Sequence, residues 1–125
     1  MVLGVGTDLI EVARIRAAHQ RFGDRFLRRV LRSDEIDYCL AHADPFPFVA
    51  ARFAAKEAVA KAFGTGIGRQ LQWQDMEVRH LPSGQPYVVL HNQGLALLQQ
   101  RQARALHLSL THTRDYACAV AVLEG

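Results

Sequence analysis

Apolar and polar positions change period several times along this chain, and each change predicts an element. Residues 2–10, VLGVGTDLI, are apolar and β-prone and end in a Thr-Asp pair, which reads as a buried strand with Asp8 near its end. From Glu11 the spacing turns helical. Val12, Ile15 and His19 make one stripe, and Arg14 and Arg21 lie on another. Gly23 punctuates, and Asp24 is expected to cap a short arginine-rich helix bearing apolar Phe26, Val30 and Leu31. Ser33-Asp34-Glu35-Ile36 resembles a helix start, with Ser33 accepting from free amides and the acids suiting the positive helix end. Asp44-Pro45-Phe46-Pro47 is a break. A long alanine-rich helix follows, from about Phe48 to Phe63, with no internal Gly or Pro. Val49, Phe53, Ala60 and Phe63 supply much of its core stripe, and Gly64 is its natural C-terminal cap.

The second half reads as strands and turns. GTGIGRQ at 64–70 is a glycine-rich loop. From Trp73 to Leu81, Met76, Val78 and His80 alternate with Asp75, Glu77 and Arg79, as in a strand. A Pro-Ser-Gly-Gln-Pro turn at 82–86 leads into a hairpin partner, Tyr87 to His91. Asn92 is expected to cap a helix running to about Arg104. Leu106 to Thr111 and Tyr116 to Leu123 are two further strands, joined by a turn at 112–115. The coarse order β-α-α-α-β-β-α-β-β predicts an α+β fold, a mainly antiparallel sheet packed against helices. A length of 125 residues, half of them hydrophobic, suits a single domain spanning 1–125 with one core.

Several classes fall away. No apolar run approaches the roughly 18–20 residues of a membrane span. The N-terminus has no basic segment and meets an acid by Asp8, unlike a signal peptide. Cys39 and Cys118 are far apart and in no CxxC pair, so a disulfide framework or zinc site is not expected. Buried free thiols and a cytoplasmic location are. The net charge is only +3, but 13 of the 15 basic residues are Arg, and the two lysines, Lys56 and Lys61, share one helix.

Charged residues on so apolar a helix carry the candidate chemistry. Glu57 and Lys61 are four apart and share a face. An ordinary exposed pair, worth about 0.3–0.5 kcal/mol, is the plain alternative. Three features speak against it. Little of the helix can be solvated, the loop Gly64-Thr65-Gly66-Ile67-Gly68-Arg69 follows with amides and an Arg suited to an anion, and Asp8 ends a core strand where an acid needs a partner. Two carboxylates, a lysine and a glycine loop describe a site for a divalent metal and phosphate, and Mg²⁺ takes such a set. The loop has neither a P-loop ending nor a GxGxxG placed between strand and helix. His112 stands beside Ser109, Thr111 and Thr113, either as a turn residue or as an anion contact; the other five histidines show no metal-ligand spacing. Arg14, Arg16, Arg21, Arg25, Arg28, Arg29 and Arg32 form a basic face, either solvated or facing an acidic partner. With only Phe22 and Phe26 as aromatics and no recognised motif, nucleic acid is not expected. On residues alone, a metal-dependent pyrophosphohydrolase and a basic binding module stay beside a transferase.

GVGTDLIEVARI, RFAAKEAVAKAFGTGIG and SLTHTRDYACAVAV, in that order and spacing, resemble the holo-acyl carrier protein synthases, the small bacterial 4′-phosphopantetheinyl transferases. The likeness covers nearly the whole chain. It implies the 4′-phosphopantetheinyl transferase-like fold and transfer of phosphopantetheine from coenzyme A to a serine of apo-acyl carrier protein, with release of adenosine 3′,5′-bisphosphate, in fatty-acid biosynthesis. By motif, Asp8 and Glu57 would hold Mg²⁺ against the pyrophosphate, and Lys61 would contact the pyrophosphate. Arg52, Lys61, Gly64, Thr65, Gly66, His112 and Thr113 would line the coenzyme A site. Arg14, Arg21 and Arg25 would meet the acidic helix of the carrier. The resemblance also implies a homotrimer with sites between subunits. Glu57, Asp8 or a metal-bound water would take the serine proton, and Glu57 is the preferred acceptor.

Overall fold

A computed structural model describes all 125 residues. The order is β1 (Val2–Glu11), α1 (Val12–Phe22), α2 (Asp24–Val30), α3 (Ser33–Leu40), α4 (Phe46–Phe63), a 3-10 turn at Trp73–Asp75, β2 (Met76–His80), β3 (Pro86–Leu90), α5 (Asn92–Gln100), β4 (Ala105–His112) and β5 (Tyr116–Glu124). Four helices, not three, separate the first two strands. The five strands make two antiparallel sheets, β1-β5-β4 and the hairpin β2-β3, rather than one. This is the expected α+β mixture. No helix is long and apolar enough to cross a membrane.

The predicted elements stand, while several of their ends are made differently. Asp24 does not cap α2. Gly23 does, at φ 65°, and Asp24 instead accepts from His19 Nε2 at 3.3 Å. Ser33 does not cap α3 either; the Glu35 carboxylate reaches back to the Arg32 amide at 2.8 Å, because a charged oxygen three residues in serves that donor well. Asn92 does not cap α5. It sits at φ 47° as the first helical residue, using the tolerance of Asn for left-handed backbone, and α5 stops at Gln100 before Gln102 at φ 54°. The strand expected from Trp73 begins only at Met76, after the 3-10 turn. On β2, Glu77 is buried beside Met76 and Val78, bound by Arg79 and by His91 Nε2 at 2.8 Å. The guanidinium and the imidazole hold its carboxyl below the usual range.

Helix α4 is the centre of the molecule. Instead of one core stripe it buries almost its whole circumference, Ala54, Ala55, Ala58, Val59 and Ala60 being fully inaccessible. Below it lies β1, whose register alternates Val5, Thr7 and Leu9 outward with Gly4, Gly6, Asp8 and Ile10 toward the helix. Inward-facing Ala117, Ala119, Ala121 and Leu123 of β5 complete the floor. The contact is backbone on backbone. A Cβ on Gly4 would stand 1.9 Å from the Ala62 carbonyl oxygen, and one on Gly6 1.9 Å from that of Ala58. Neither glycine is needed for its φ, since both are extended; they are needed for space. At the far end of the sheet the first and last residues pair, the Gly125 amide donating to the Met1 carbonyl at 2.9 Å.

Of the two cysteines, Cys39 is buried, and that burial pushes its thiol up to about 11. Cys118 is half-buried on the outer face of β5 and also free. Gly6→Ala is expected to force α4 away from β1 and to cost about 3 kcal/mol or more, at or above the top of the usual overpacking range. Urea denaturation measures it, and a loss under about 1 kcal/mol would show that the helix can shift freely.

Candidate active site

A single row of α4 reaches solvent below its first turn: Phe53, Glu57 and Lys61, at intervals of four, ending at exposed Gly64. The spacing that reads as an ordinary Glu–Lys pair is therefore the one polar seam of a buried helix. Lys61 Nζ donates across to β1, to the Thr7 carbonyl at 2.8 Å and to Asp8 Oδ1 at 3.2 Å. Its partner is thus Asp8 rather than Glu57. Asp8 comes within reach because the side-chain-free Gly4 and Gly6 let the helix settle on the strand. Burial, and then repulsion from the Asp8 carboxylate, raise the Glu57 carboxyl above its ordinary value, with Lys61 opposing the rise.

Asp8, Glu57 and Lys61 are accordingly brought together from two elements. The donor set suits a hard divalent ion. Both carboxylates supply oxygen, they repel one another, and no group of three or more His, Cys, Asp or Glu gathers anywhere in the chain. A protein-made zinc or calcium cage is absent, whereas Mg²⁺ is commonly held by one or two carboxylates with waters and phosphate oxygens completing it.

The glycine loop departs from expectation. The amides of Gly64, Thr65, Gly66 and Gly68 are not free to hold an anion. Gly64 N–H donates to Lys61, Thr65 and Gly66 N–H to Ala60, and Gly68 N–H to Leu71. The reason is the helix end: α4 leaves carbonyls without partners, and Gly64 at φ 78° turns the chain back to serve them. Thr65 Oγ1 donates to the Gly66 carbonyl at 2.9 Å, and Arg101 donates to that of Phe63. The carboxyl end of a helix is also the negative end of its dipole, which favours Lys61 there.

Arg52 and His112 meet elsewhere. They line a recess of about 190 Å³ with Tyr38, Phe48, His80 and Leu110. His112 closes β4, two strands across and two residues along from Asp8 in the sheet register. Its ring lies edge-on to Phe48 at 5.0 Å. Thr113 stands next to it, with its Oγ1 accepting from the Asp115 and Tyr116 amides at the hairpin turn. Arg52 is 3% exposed, its guanidinium lies 4.1 Å over the Tyr38 ring, and its Nη2 is 3.5 Å from His80 Nδ1. Burial and the neighbouring Arg52 lower the His80 pKa. His80 and Tyr38 are functional candidates that the sequence reading passed over. The available signal was a histidine on the apolar face of a strand.

On the other side of Glu57 a groove of about 480 Å³ runs between Arg29, Ile67, Gly68, Gln72 and Trp73. Through Arg29 and Trp73 it joins an apolar recess of about 410 Å³ that includes Phe22, Arg25, Phe26 and Phe53. Arg25 is therefore placed beside the site, and Arg21 packs over Phe22 at 5.1 Å. Arg14 is exposed on α1, two helical turns before Arg21. Lys56, for which the sequence offered no role, is fully buried against Glu35 at 2.7 Å.

The chain has known relatives. Residues 4–121 match the profile of the 4′-phosphopantetheinyl transferase superfamily. A holo-[acyl-carrier-protein] synthase of Chlamydia trachomatis is 48% identical over 98% of this chain and 100% of its own. One from Koribacter versatilis is 47% identical over 99% of each. The crystal structure of the holo-[acyl-carrier-protein] synthase of Neisseria meningitidis superposes with a TM-score of 0.94 at 31% identity, covering both chains completely. That of Helicobacter pylori, solved in complex with coenzyme A, gives 0.86 at 32% identity over 96% of this chain and 99% of the other. The carboxylate pair on α4 and β1, the fold that sets it and these full-length likenesses together place the chain in the 4′-phosphopantetheinyl transferase superfamily.

Proposed function

We propose that this protein is a holo-acyl carrier protein synthase, moving 4′-phosphopantetheine from coenzyme A to a serine of an apo-acyl carrier protein and releasing adenosine 3′,5′-bisphosphate, a step that serves fatty-acid biosynthesis. The observation that carries the reading is the Asp8–Glu57–Lys61 cluster at the only open seam of α4. Mg²⁺ held by Asp8 and Glu57 would neutralise pyrophosphate oxygens as charge moves to the leaving group. Lys61, now bound to Asp8, keeps a mobile ammonium beside that position and turns to the departing bisphosphate. Glu57 takes the proton of the attacking serine, directly or through a water. Arg52, His80 and His112 suit the phosphate and base at the other end of coenzyme A. Gly64, Thr65 and Gly66 form a wall rather than an amide cradle, and Thr113 holds the His112 turn.

The carrier protein docks on the groove side. Arg14, Arg21 and Arg25 offer guanidinium groups to acidic side chains, and the recess of Phe22, Phe26, Phe53 and Trp73 accepts an apolar residue between them. Its continuity through Trp73 with the groove at Glu57 leads the serine to the carboxylates. Assembly into a homotrimer fits the outer face of the β1-β5-β4 sheet, where Val5 is 56% and Leu9 66% exposed beside Val120. A neighbour on that face brings its 112–113 turn toward the Asp8 cluster. A cytoplasmic location fits two cysteines that form no disulfide.

Three variants test the reading. Glu57→Gln is expected to abolish gain of the phosphopantetheine mass by the carrier, while coenzyme A breakdown without carrier modification would indicate a hydrolase instead. The same variant separates charge from folding. A carboxyl whose folded pKa is raised destabilises the fold above that pKa and not below its unfolded value of about 4.3. Without metal, Glu57→Gln should therefore melt higher than the parent at pH 7 and equally at about pH 4, and Mg²⁺ should raise the Tm of the parent only. Arg14→Glu should raise KM for the carrier about tenfold or more, the scale of one reversed ion contact, with coenzyme A affinity unchanged. Leu9→Glu should convert a trimer to monomers in sedimentation velocity and lower kcat/KM with it; a trimeric, active Leu9→Glu protein would refute the sheet-face interface.

A further inference from the structure

Beneath the Arg52 recess lies a buried charge network built on Lys56 and Glu35. Lys56 Nζ is fully buried and donates to three oxygens: Glu35 Oε1 at 2.7 Å, the Val30 carbonyl at 2.7 Å and the Trp73 carbonyl at 3.3 Å. Glu35 is equally buried. Its Oε1 also accepts from the Arg32 amide, and its Oε2 from the Val78 amide at 3.0 Å. Arg52 Nε stands 3.8 Å from that same Oε2 and has no hydrogen-bond partner. The carboxylate nearest Arg52 is thus already engaged by others. Its Nη2 faces His80 in the recess instead, and the guanidinium also neighbours the buried Cys39 thiol.

A buried guanidinium left with an unmatched N–H is costly, and a carboxylate at 3.8 Å is the obvious remedy. What keeps the remedy from being taken is Lys56. Its ammonium, four residues further along α4, holds Glu35 in place through a second carboxylate oxygen. We propose that Glu35 and Lys56 are a positioning pair for substrate binding: Lys56 holds the Glu35 carboxylate so that Arg52 stays turned into the recess, free for an anionic group of coenzyme A. Deprived of Lys56, the charged Glu35 closes on Arg52 and withdraws it. This rests on the assignment of Arg52 to the coenzyme A site.

The test compares four proteins: parent, Arg52→Gln, Lys56→Met, and Lys56→Met with Glu35→Gln. Each is followed by KM for coenzyme A, KM for the carrier, kcat, Tm, and calorimetric titration with coenzyme A and Mg²⁺. Lys56→Met should raise KM and Kd for coenzyme A about tenfold, the effect of one weakened charge-assisted hydrogen bond, with kcat and the carrier KM little changed. The double variant removes both charges of a buried pair, a change that proteins often tolerate, and should recover coenzyme A affinity to near that of the parent. A merely structural role would lower Tm and kcat together and give no such recovery. Should Lys56→Met fail to fold, the double variant decides alone: parental coenzyme A affinity supports the proposal, and weakened affinity overturns it. An Arg52→Gln protein with raised KM beside a folded Lys56→Met protein with unchanged KM overturns the positioning role only. Unchanged KM in Arg52→Gln overturns both that role and the place of Arg52 in the coenzyme A site.

Discussion

The site depends on one steric constraint, the contact of helix α4 with strand β1. Helices usually rest on sheets through side chains, which hold the two backbones apart. Here Gly4 and Gly6 present nothing to the helix, and the carbonyls of Ala58 and Ala62 lie where their Cβ atoms would be. Small residues continue the floor along β5, with Ala117, Ala119 and Ala121 all buried. Only at this separation can the Lys61 ammonium reach both a main-chain oxygen of Thr7 and the Asp8 carboxylate. Burial, and then repulsion from Asp8, raise the Glu57 carboxyl. Packing therefore imposes a pairing that electrostatics alone opposes, and one that a divalent cation would relieve.

The two lysines of the chain divide their work by direction around that helix. Lys61 lies on the open seam, half exposed and bound to one strand. Lys56, five residues earlier, points inward and joins the end of α2, α3 and the 3-10 turn through its three acceptors. Burial lowers its pKa, with Glu35 opposing the fall. A helix pinned on one side by such a pair cannot readily roll about its axis.

Much of this was legible in the residues. The strand bearing Asp8, the long helix, its glycine end and the hairpin all follow from period and punctuation, because each is decided by burial on a local pattern. What could not be read there depends on partners far along the chain. Glu35 looked like a helix-start acid, and only the fold shows it meeting Lys56 and the Val78 amide. His80 looked incidental, but its ring stacks on Tyr38 at 5.1 Å. The glycine loop misled for a different reason. Glycines that open a backbone to an anion and glycines that close a helix have the same composition, and the difference lies in which carbonyls stand nearby. Cap residues failed similarly: Ser33 and Asn92 have the right chemistry, but Glu35 and a left-handed φ served those ends instead.

The pairing of β1 with β5 bears on how the molecule forms. Val5 lies opposite Val122 and Asp8 opposite Ala119, so the strand that begins the order finds its only partner in the strand that ends it. Closing a loop of that span carries a large entropic cost before any contact is gained. Helix α4 can form early from local propensity, but its glycine-faced bed cannot exist until both strands meet. The two carboxylates therefore come together only where strands from opposite ends of the chain have met, and helices alone leave Asp8 and Glu57 apart.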